Sequence, residues 1–516
     1  MLLLLKISII LLFSNFKTLK SANILAFSQI AAYSNYLFNH VIFKEFAVRG
    51  HNLTIFATYP SDYSQFPNVI QHHFNESIKI RQKYMNIIEY KQKSMSAYKI
   101  GIYDRDWIFE AIKSEIEHPE MQKILNNYEN YQFDLIIGEF SFLTFGVLAE
   151  IFNCPIIITS SVEPFSAAHV VMGNFIDAAH YPISYLPYLY RNLTLSQRIE
   201  SLFVHLYSFA LFVFYYGIEN EKIYEKYFPI KNIDHYKIYQ ERAALMIMNT
   251  NFAFGHIRPL MPNTIQVGFL HVEPPKKIQD EKLLTFLDNS KTGVIVMNFG
   301  SLSDTKKIKN STIEKFLKVF NQTKFDVIIK LHKIDQEIPK NVLISDWLPL
   351  ADVLAHSKVK IFIFHGGLFS AYEAIDREIP MIIFPFAYDQ GSNARMLVHN
   401  EVAIELDFNT FTENELLEAI HEINLNDYKE NVKKLKKRVY NQPISNKNLL
   451  IWHVEKILRN KDDLKIITND MSSVFLRHIT DIYIFCLLLI IFVRKIVKIL
   501  LNIFYKYKNL IKTMKY

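Results

Sequence analysis

The chain has 516 residues, half of them hydrophobic, and a formal charge of +7 from 58 basic and 51 acidic side chains. That length allows two or three domains with sizeable cores, and the seven cations between Arg494 and Tyr516 account for the whole excess charge, which excludes a basic groove for nucleic acid as its meaning. The two cysteines, Cys154 and Cys486, exclude a disulfide framework, because the second lies in an apolar run.

Residues 1–21 begin with Leu2–Leu5 and Lys6, run through the apolar Ile9–Phe13 and reach the small residues Ser21 and Ala22. This is the pattern of a cleavable signal peptide. Asn23–Phe27 then reads as a strand, Tyr36–Ala47 as a helix, Val48-Arg49-Gly50-His51 as a turn and Leu53–Ala57 as a second strand, a β-α-β opening. Further strands are predicted at Leu135–Ile137 and Pro155–Thr159 around a helix at Phe142–Phe152, with Cys154 as a small buried hydrophobe. The aromatic and apolar density from Val162 to Tyr227, including Phe203–Tyr216, suits helices around an apolar pocket or against a membrane surface, and equally an ordinary core.

The prolines Pro274-Pro275 followed by Lys276-Lys277 mark a linker, so the chain divides into residues 22–272, a linker at 273–284 and a second unit at 285–462. The second unit repeats the βα alternation, with strands at Gly293–Asn298, Asp326–Lys330, Val342–Ser345, Ile361–Phe364 and Met381–Phe384, and late helices near Glu413–Ile423 and Ile444–Leu458. Two doubly wound α/β domains would hold a ligand at the carboxyl ends of both sheets.

Ile479–Val493 is apolar apart from Thr480 and Asp481 and reaches only ~22 Å against a ~30 Å hydrocarbon core. Extended through Leu501 with Arg494, Lys495 and Lys498 snorkelling, it predicts a transmembrane helix at 479–501 and a basic cytosolic tail at 502–516. The expected location is therefore the endoplasmic reticulum membrane, single-pass type I, with the body in the lumen. Sequons starting at Asn52, Asn75, Asn192, Asn310 and Asn321 are compatible with that side.

The densest chemistry lies between Trp347 and Gln390. Gly366 and Gly367 remove side chains where a strand turns into a helix, so backbone amides at the helix start can approach phosphate oxygens. His365 adds a donor to a diphosphate and Ser370 a hydroxyl one turn on. Glu373 can accept from ribose hydroxyls, Trp347 offers a flat face to a base, and Asp389 and Gln390 can hold sugar hydroxyls. Ser301 follows the first strand of this unit in Asn298-Phe299-Gly300-Ser301.

Trp347-Leu348-Pro349, His365-Gly366-Gly367, Ser370, Glu373, Pro380, Pro385 and Asp389-Gln390 at this spacing resemble the signature of the animal UDP-glycosyltransferases, in an invertebrate form. The resemblance extends over almost the whole chain. It implies the GT-B fold, two Rossmann-like domains facing a cleft, and inverting transfer of a hexose from a UDP-sugar to a small lipophilic acceptor. Glucose is the expected sugar and glucuronate the second. UDP-sugar is then a co-substrate, with no cofactor or metal expected; Asp104-Arg105-Asp106 reads as a solvated charge cluster, and His72-His73 lacks a second ligand pair. A homo-oligomer is left open.

In that family a histidine deprotonates the acceptor, and the matching position here holds Asn35, an amide that is no general base at neutral pH. The matching carboxylate is Glu139. His40, five residues along the helix, points more than about 100° away from Asn35. Leu350 stands where a glutamine usually reads uracil, and Phe364 where threonine or serine precedes the signature histidine. The chain is then expected to serve acceptors that need little deprotonation, such as amines, carboxylates or phenols. The alternative is a protein that binds nucleotide sugars or lipophiles without turnover.

Overall fold

The computed structural model describes residues 21–84, 87–95, 97–176, 181–182, 186, 188, 192–230, 235–255, 257–301, 303–332, 334–460 and 480–513. The leader up to residue 20, Ile479 and tail residues 514–516 lie outside these. The first half forms a seven-stranded sheet in the order β3-β2-β1-β4-β5-β6-β7, with β1 Asn23–Ser28, β2 Asn52–Ala57, β3 Val69–His73, β4 Leu135–Glu139, β5 Ile156–Ser160, β6 Ala243–Met248 and β7 Thr264–Gln266. The second half forms a six-stranded sheet, β10-β9-β8-β11-β12-β13, from β8 Val294–Asn298, β9 Asp326–Lys330, β10 Val342–Ser345, β11 Val359–Phe364, β12 Met381–Ile383 and β13 Ala403–Glu405.

Every neighbouring pair in both sheets is parallel. Such strands are covered on both faces, which explains their unbroken apolar runs such as Ala243–Met248, buried at every position. The strand order reverses beside β1 in the first sheet and beside β8 in the second. The loops after β1 and β4, and those after β8 and β11, therefore open on crevices at the carboxyl ends, where ligands of such sheets bind.

Each expected strand is present with ends within two residues of those expected, but β3, β6, β7 and β13 were not among them, although β6 carries the apolar run of a buried strand. Phe142–Phe152 is a 3-10 turn at Phe140–Gly146 followed by a helix at Val147–Ile151 rather than one helix. The helix Asn426–Tyr440, rich in lysine, also went unread.

The two units exchange helices. Ile87–Gln92, from the first half, buries Ile87, Ile88 and Tyr90 in the core of the second sheet. Asn446–Arg459, inside the expected second unit, buries Leu450, Val454, Ile457 and Leu458 against Ile24, Phe46 and Ile55 of the first. Ion pairs accompany both crossings, Lys91 to Asp407 at 2.5 Å and Lys447 to Glu45 at 2.5 Å. The exchange ties the domains together on either side of the cleft.

The expected membrane span is corrected. Thr480–Thr513 forms one helix of 34 residues, yet among the described residues no helix is long and apolar enough to cross a membrane. Asp481, Arg494, Lys495 and Lys498 interrupt the apolar run. Cys154 is buried in the first core as expected, and Cys486 is exposed on the terminal helix.

Candidate functional site

A cleft of ≈ 750 Å³ lies between the two sheets and is lined by residues of both. Its donor wall comes from the second half. Asn298 ends β8 and Gly300 and Ser301 follow it, Lys330 ends β9, and His365 and Gly367 follow β11, all of them lining the cleft. Ser370 and Glu373 line it from the helix Leu368–Asp376, whose cap is Gly367.

The glycines of this wall have steric reasons inside the chain. Gly366 sits at φ +87°, and a Cβ there would lie 2.9 Å from the Gln390 carbonyl oxygen. Beta carbons on Gly300 and Gly367 would each come within 2.7 Å of the His365 ring, so those two positions make room for the imidazole. Burial first, then the Lys330 charge, pull the His365 pKa down to about 4, which leaves the ring neutral at working pH; the Asn298 carbonyl acts the other way. Its Nδ1 has no partner among the described residues.

Lys330 was not anticipated as a site residue. Its Nζ donates to the Gly300 carbonyl at 3.0 Å and lies 5.3 Å from the centre of the Trp347 ring. Burial lowers its pKa. Its place at the carboxyl end of β9, level with the strand that delivers Asn298, was the available signal. Trp347 is 60% exposed and lines the cleft, so it is not a core residue, and Tyr33 of the other domain approaches its edge at 6.3 Å and 86°. Leu350 lines the same end of the cleft from the short helix Leu350–Leu354.

Asp389 and Gln390 also line the cleft, with different freedom. Gln390 is 4% exposed, and its Oε1 accepts from the Phe386 and Ala387 amides at 2.9 and 3.1 Å, so it shapes the loop before it. Asp389 accepts from Asn393 Nδ2 at 2.7 Å, and the same nitrogen donates to the Gly366 carbonyl at 3.0 Å, which couples the carboxylate to the glycine turn. Burial pushes the Asp389 carboxyl up to about 6 and that of Glu373 up to about 7.

The facing wall comes from the first half. Asn35 lies near the start of the helix Tyr33–Val48 and lines the cleft, its Nδ2 donating to Ser161 Oγ at 2.5 Å. Glu139 is not brought to it. Glu139 is 4% exposed, is absent from the cleft lining, and accepts from the Gln29 and Ile30 amides at 3.1 and 2.7 Å and from Asn39 Nδ2 at 2.6 Å. It therefore fixes the loop between β1 and the helix that carries Asn35. Burial raises its carboxyl to about 7 against these bonds.

His40 also lines the cleft, because the cleft follows the stripe Tyr33, Leu37, His40, Val41 and Lys44 along the helix as well as its start at Asn35. Its Nδ1 lies 2.8 Å from the Tyr63 hydroxyl and 2.9 Å from Ser61 Oγ, and burial and Lys44 pull its pKa to about 4. The rest of this wall is apolar. Val204, Tyr207 and Ser208 line it from one side of the helix Leu195–Ala210, with Leu211 just past its end, while Leu195, Ile199, Leu202, Phe203 and Leu206 of that helix are exposed. Arg81, also unanticipated, lines this wall as well.

Arg105 pairs with Asp106 at 2.7 Å and stacks 4.6 Å over Tyr215, and the Asp104 side chain lies outside the described residues. Among the described residues no three His, Cys, Asp or Glu side chains converge as a metal set would.

Two parallel doubly wound sheets facing one cleft, with a glycine turn at a helix start on one wall, define a nucleotide-sugar transferase of the GT-B class. Two solved structures share this fold, the glycotransferase of kitacinnamycin (TM-score 0.54, 15% identity) and the spinosyn forosaminyltransferase SpnP (TM-score 0.56, 14% identity), each covering 85% of this chain and all of the other. Over residues 26–516 the sequence matches the family described as UDP-glucoronosyl and UDP-glucosyl transferase, and the chain belongs to that family. It is 29% identical to UDP-glycosyltransferase UGT4 of Dactylopius coccus over 85% of this chain and 86% of that protein. It is 26% identical to human UDP-glucuronosyltransferase 2B10 over 84% of each, and 26% identical to the ecdysteroid UDP-glucosyltransferase of Lacanobia oleracea granulosis virus over 88% of this chain and 98% of that one.

Proposed function

We propose that the chain transfers glucose from UDP-glucose, with inversion, to a small lipophilic acceptor, and that Asn35 positions the acceptor without deprotonating it. The observation that carries this reading is a single cleft with His365, Ser370, Glu373 and Asp389 on one wall and Asn35 among apolar side chains on the other. The diphosphate rests at the start of the helix Leu368–Asp376, where unpaired amides and the positive end of the helix favour anions. Glu373 accepts from the ribose hydroxyls, and Asp389 from the hexose. Trp347 supplies a stacking face, while Leu350 offers the base no side-chain hydrogen bond. Glucose is taken over glucuronate on the phrasing of the signature; relatives are named for either sugar, UDP-glucosyltransferase 2 of Dactylopius coccus for glucose and human UDP-glucuronosyltransferase 2B10 for glucuronate.

Calorimetry of the full chain with UDP tests the donor wall. His365→Ala and Glu373→Ala are expected each to weaken binding by roughly 10- to 100-fold, as loss of charge-assisted or buried hydrogen bonds does. Folded protein that takes up no UDP would overturn the reading. UDP binding without turnover of either UDP-glucose or UDP-glucuronate would leave the alternative, a nucleotide-sugar-binding protein.

A further inference from the structure

The helix that presents Ser370 and Glu373 to the cleft is gripped from behind by the other domain. Tyr372 of that helix has no exposed surface and does not line the cleft. Its ring is covered by residues of the first half: Phe269 stacks on it at 3.9 Å and 18°, and Phe254 meets it edge-on at 5.5 Å and 78°. Phe369, three positions earlier and so on the same side of the helix, is buried in the first-half core that holds Phe46. A buried tyrosine still has a hydroxyl to satisfy, and this one is satisfied across the domain boundary, donating to the Asn249 carbonyl at 3.3 Å.

Asn249 is the residue after β6 and is itself fully buried. In the sheet β6 lies beside β5 with Met248 opposite Ser160, so the two strands release Asn249 and Ser161 side by side. The Asn249 amide donates to the Ser160 carbonyl at 2.8 Å, and its Nδ2 donates to the Ser161 carbonyl at 3.0 Å. Ser161 is buried as well, and its Oγ accepts from Asn35. Hydrogen bonds thus run without a break from Tyr372 to Asn249, from Asn249 to Ser161 and from Ser161 to Asn35. Water has no access to the middle of this path, which keeps each bond strong.

We infer that Tyr372 is a positioning residue, which sets the register of the donor helix against Asn35 through Asn249 and Ser161, so that filling the donor wall steadies the acceptor wall. The inference rests on the proposed transferase reading. Transfer requires a sugar held from the donor helix and an acceptor held at Asn35 to meet, and a misplacement of about 1 Å costs roughly 100-fold in rate. The hydroxyl of Tyr372 is the part that carries this task, since phenylalanine would fill the same space and keep both ring contacts.

Hydrogen exchange of the full chain, read by mass spectrometry with and without UDP, tests this beside calorimetry of UDP binding. In the wild type, UDP should slow exchange at residues 365–374 on the donor wall and also, by about fivefold or more, at 158–163 and 33–39 of the first half. Tyr372→Phe should bind UDP within about fivefold of wild type and keep the donor-wall protection, yet lose it at both first-half segments. Ser161→Ala cuts the path one step further on, and should keep protection at 158–163 while losing it at 33–39. A residue that served packing alone would not separate the segments in this order.

Protection of 158–163 and 33–39 that survives in Tyr372→Phe overturns the inference, as does wild type that binds UDP without protecting either. A fall in UDP affinity beyond about fivefold in folded Tyr372→Phe overturns it too, and makes Tyr372 part of the donor wall itself. Should Tyr372→Phe not fold, Ser161→Ala decides alone, by whether it parts the two segments. Wild type that takes up no UDP strikes the donor reading beneath the inference instead.

Discussion

On the donor wall, His365 is seated between Gly300 and Gly367, Gly366 is pressed against the Gln390 carbonyl, and Asn393 ties that turn to Asp389. Each of these contacts joins residues of the second half to one another. The acceptor wall is put together differently. Its loop after β1 is held by Glu139 more than a hundred positions away, its Asn35 by Ser161, and its Arg81 comes from a helix starting at Asn75. A wall whose turns pack on one another within one domain has little steric freedom, while a wall assembled from distant segments can exchange a base for an amide without losing its fold. Donor chemistry is thus conservative by construction, and acceptor chemistry is where this chain is free to differ.

The strongest way to break that contrast is Gly366→Ala. A side chain at φ +87° is strained by about 1–3 kcal/mol, and its Cβ would meet the Gln390 carbonyl oxygen at 2.9 Å and Ile383 Cγ2 at 3.1 Å. Backbone cannot retreat as a flexible side chain can, so the turn must shift. UDP affinity by calorimetry is expected to fall roughly 100-fold or more, with a lowered urea midpoint. Unchanged affinity would mean that the turn does not fix the donor wall.

A smaller effect sharpens the contrast between two cations of the cleft. Lys330→Met removes the charge beside His365 and over Trp347, so UDP should bind about 10- to 30-fold more weakly. The His365 pKa should rise in the same variant, followed by NMR of the ring, because the Lys330 charge helps to hold it down. Arg81→Gln should move neither quantity. Equal loss of UDP affinity in both variants would erase the distinction between the walls.

The same contrast governs what could be read from the sequence. Much of the donor wall falls between Trp347 and Gln390, so the resemblance of that stretch to the family signature placed His365, Ser370, Glu373 and Asp389 where the cleft is. Gln390 was placed too, but with the wrong task, since its amide is engaged by the loop at Phe386 and Ala387. Glu139 shows the limit on the other wall. Its position after β4 was legible, but which side chain would claim it depends on how helix Tyr33–Val48 is rotated, and the claimant is Asn39. His40 failed for a related reason, as a helical angle says which residues share a face and not how far a cleft wraps round it. Arg81 lies in a lysine-rich helix with no apolar stripe to betray that one of its cations is buried. The helix exchange at Ile87–Gln92 and Asn446–Arg459 was invisible for the same reason, because periodicity gives a buried face but not the core that covers it.

The smallest expected effect separates the walls by pH. Glu115, under the acceptor wall, is 1% exposed and accepts from Gln29 and Ser77 at 2.7 Å each. Burial pushes its carboxyl up to about 8, with the neighbouring Glu139 adding to the rise. A carboxyl raised in the folded state keeps its proton there while the unfolded chain has lost it, so its contribution is complete below the unfolded value and disappears as pH climbs through the folded one. Histidines held low, such as His40, His271 and His365 at about 4, act in the opposite sense, but only below the ordinary histidine value near 6.5. Between pH 6.5 and 8 the carboxyls therefore dominate and stability should fall as pH rises. Glu115→Gln should flatten that fall by about 1–2 kcal/mol in urea titrations across the window. Glu373→Gln on the donor wall should flatten it less, because burial raises that carboxyl only to about 7, below Glu115. Parallel slopes for wild type and Glu115→Gln would show that Glu115 is already ionised in the folded protein, and the acceptor wall would then carry a second buried negative charge to set against Arg81.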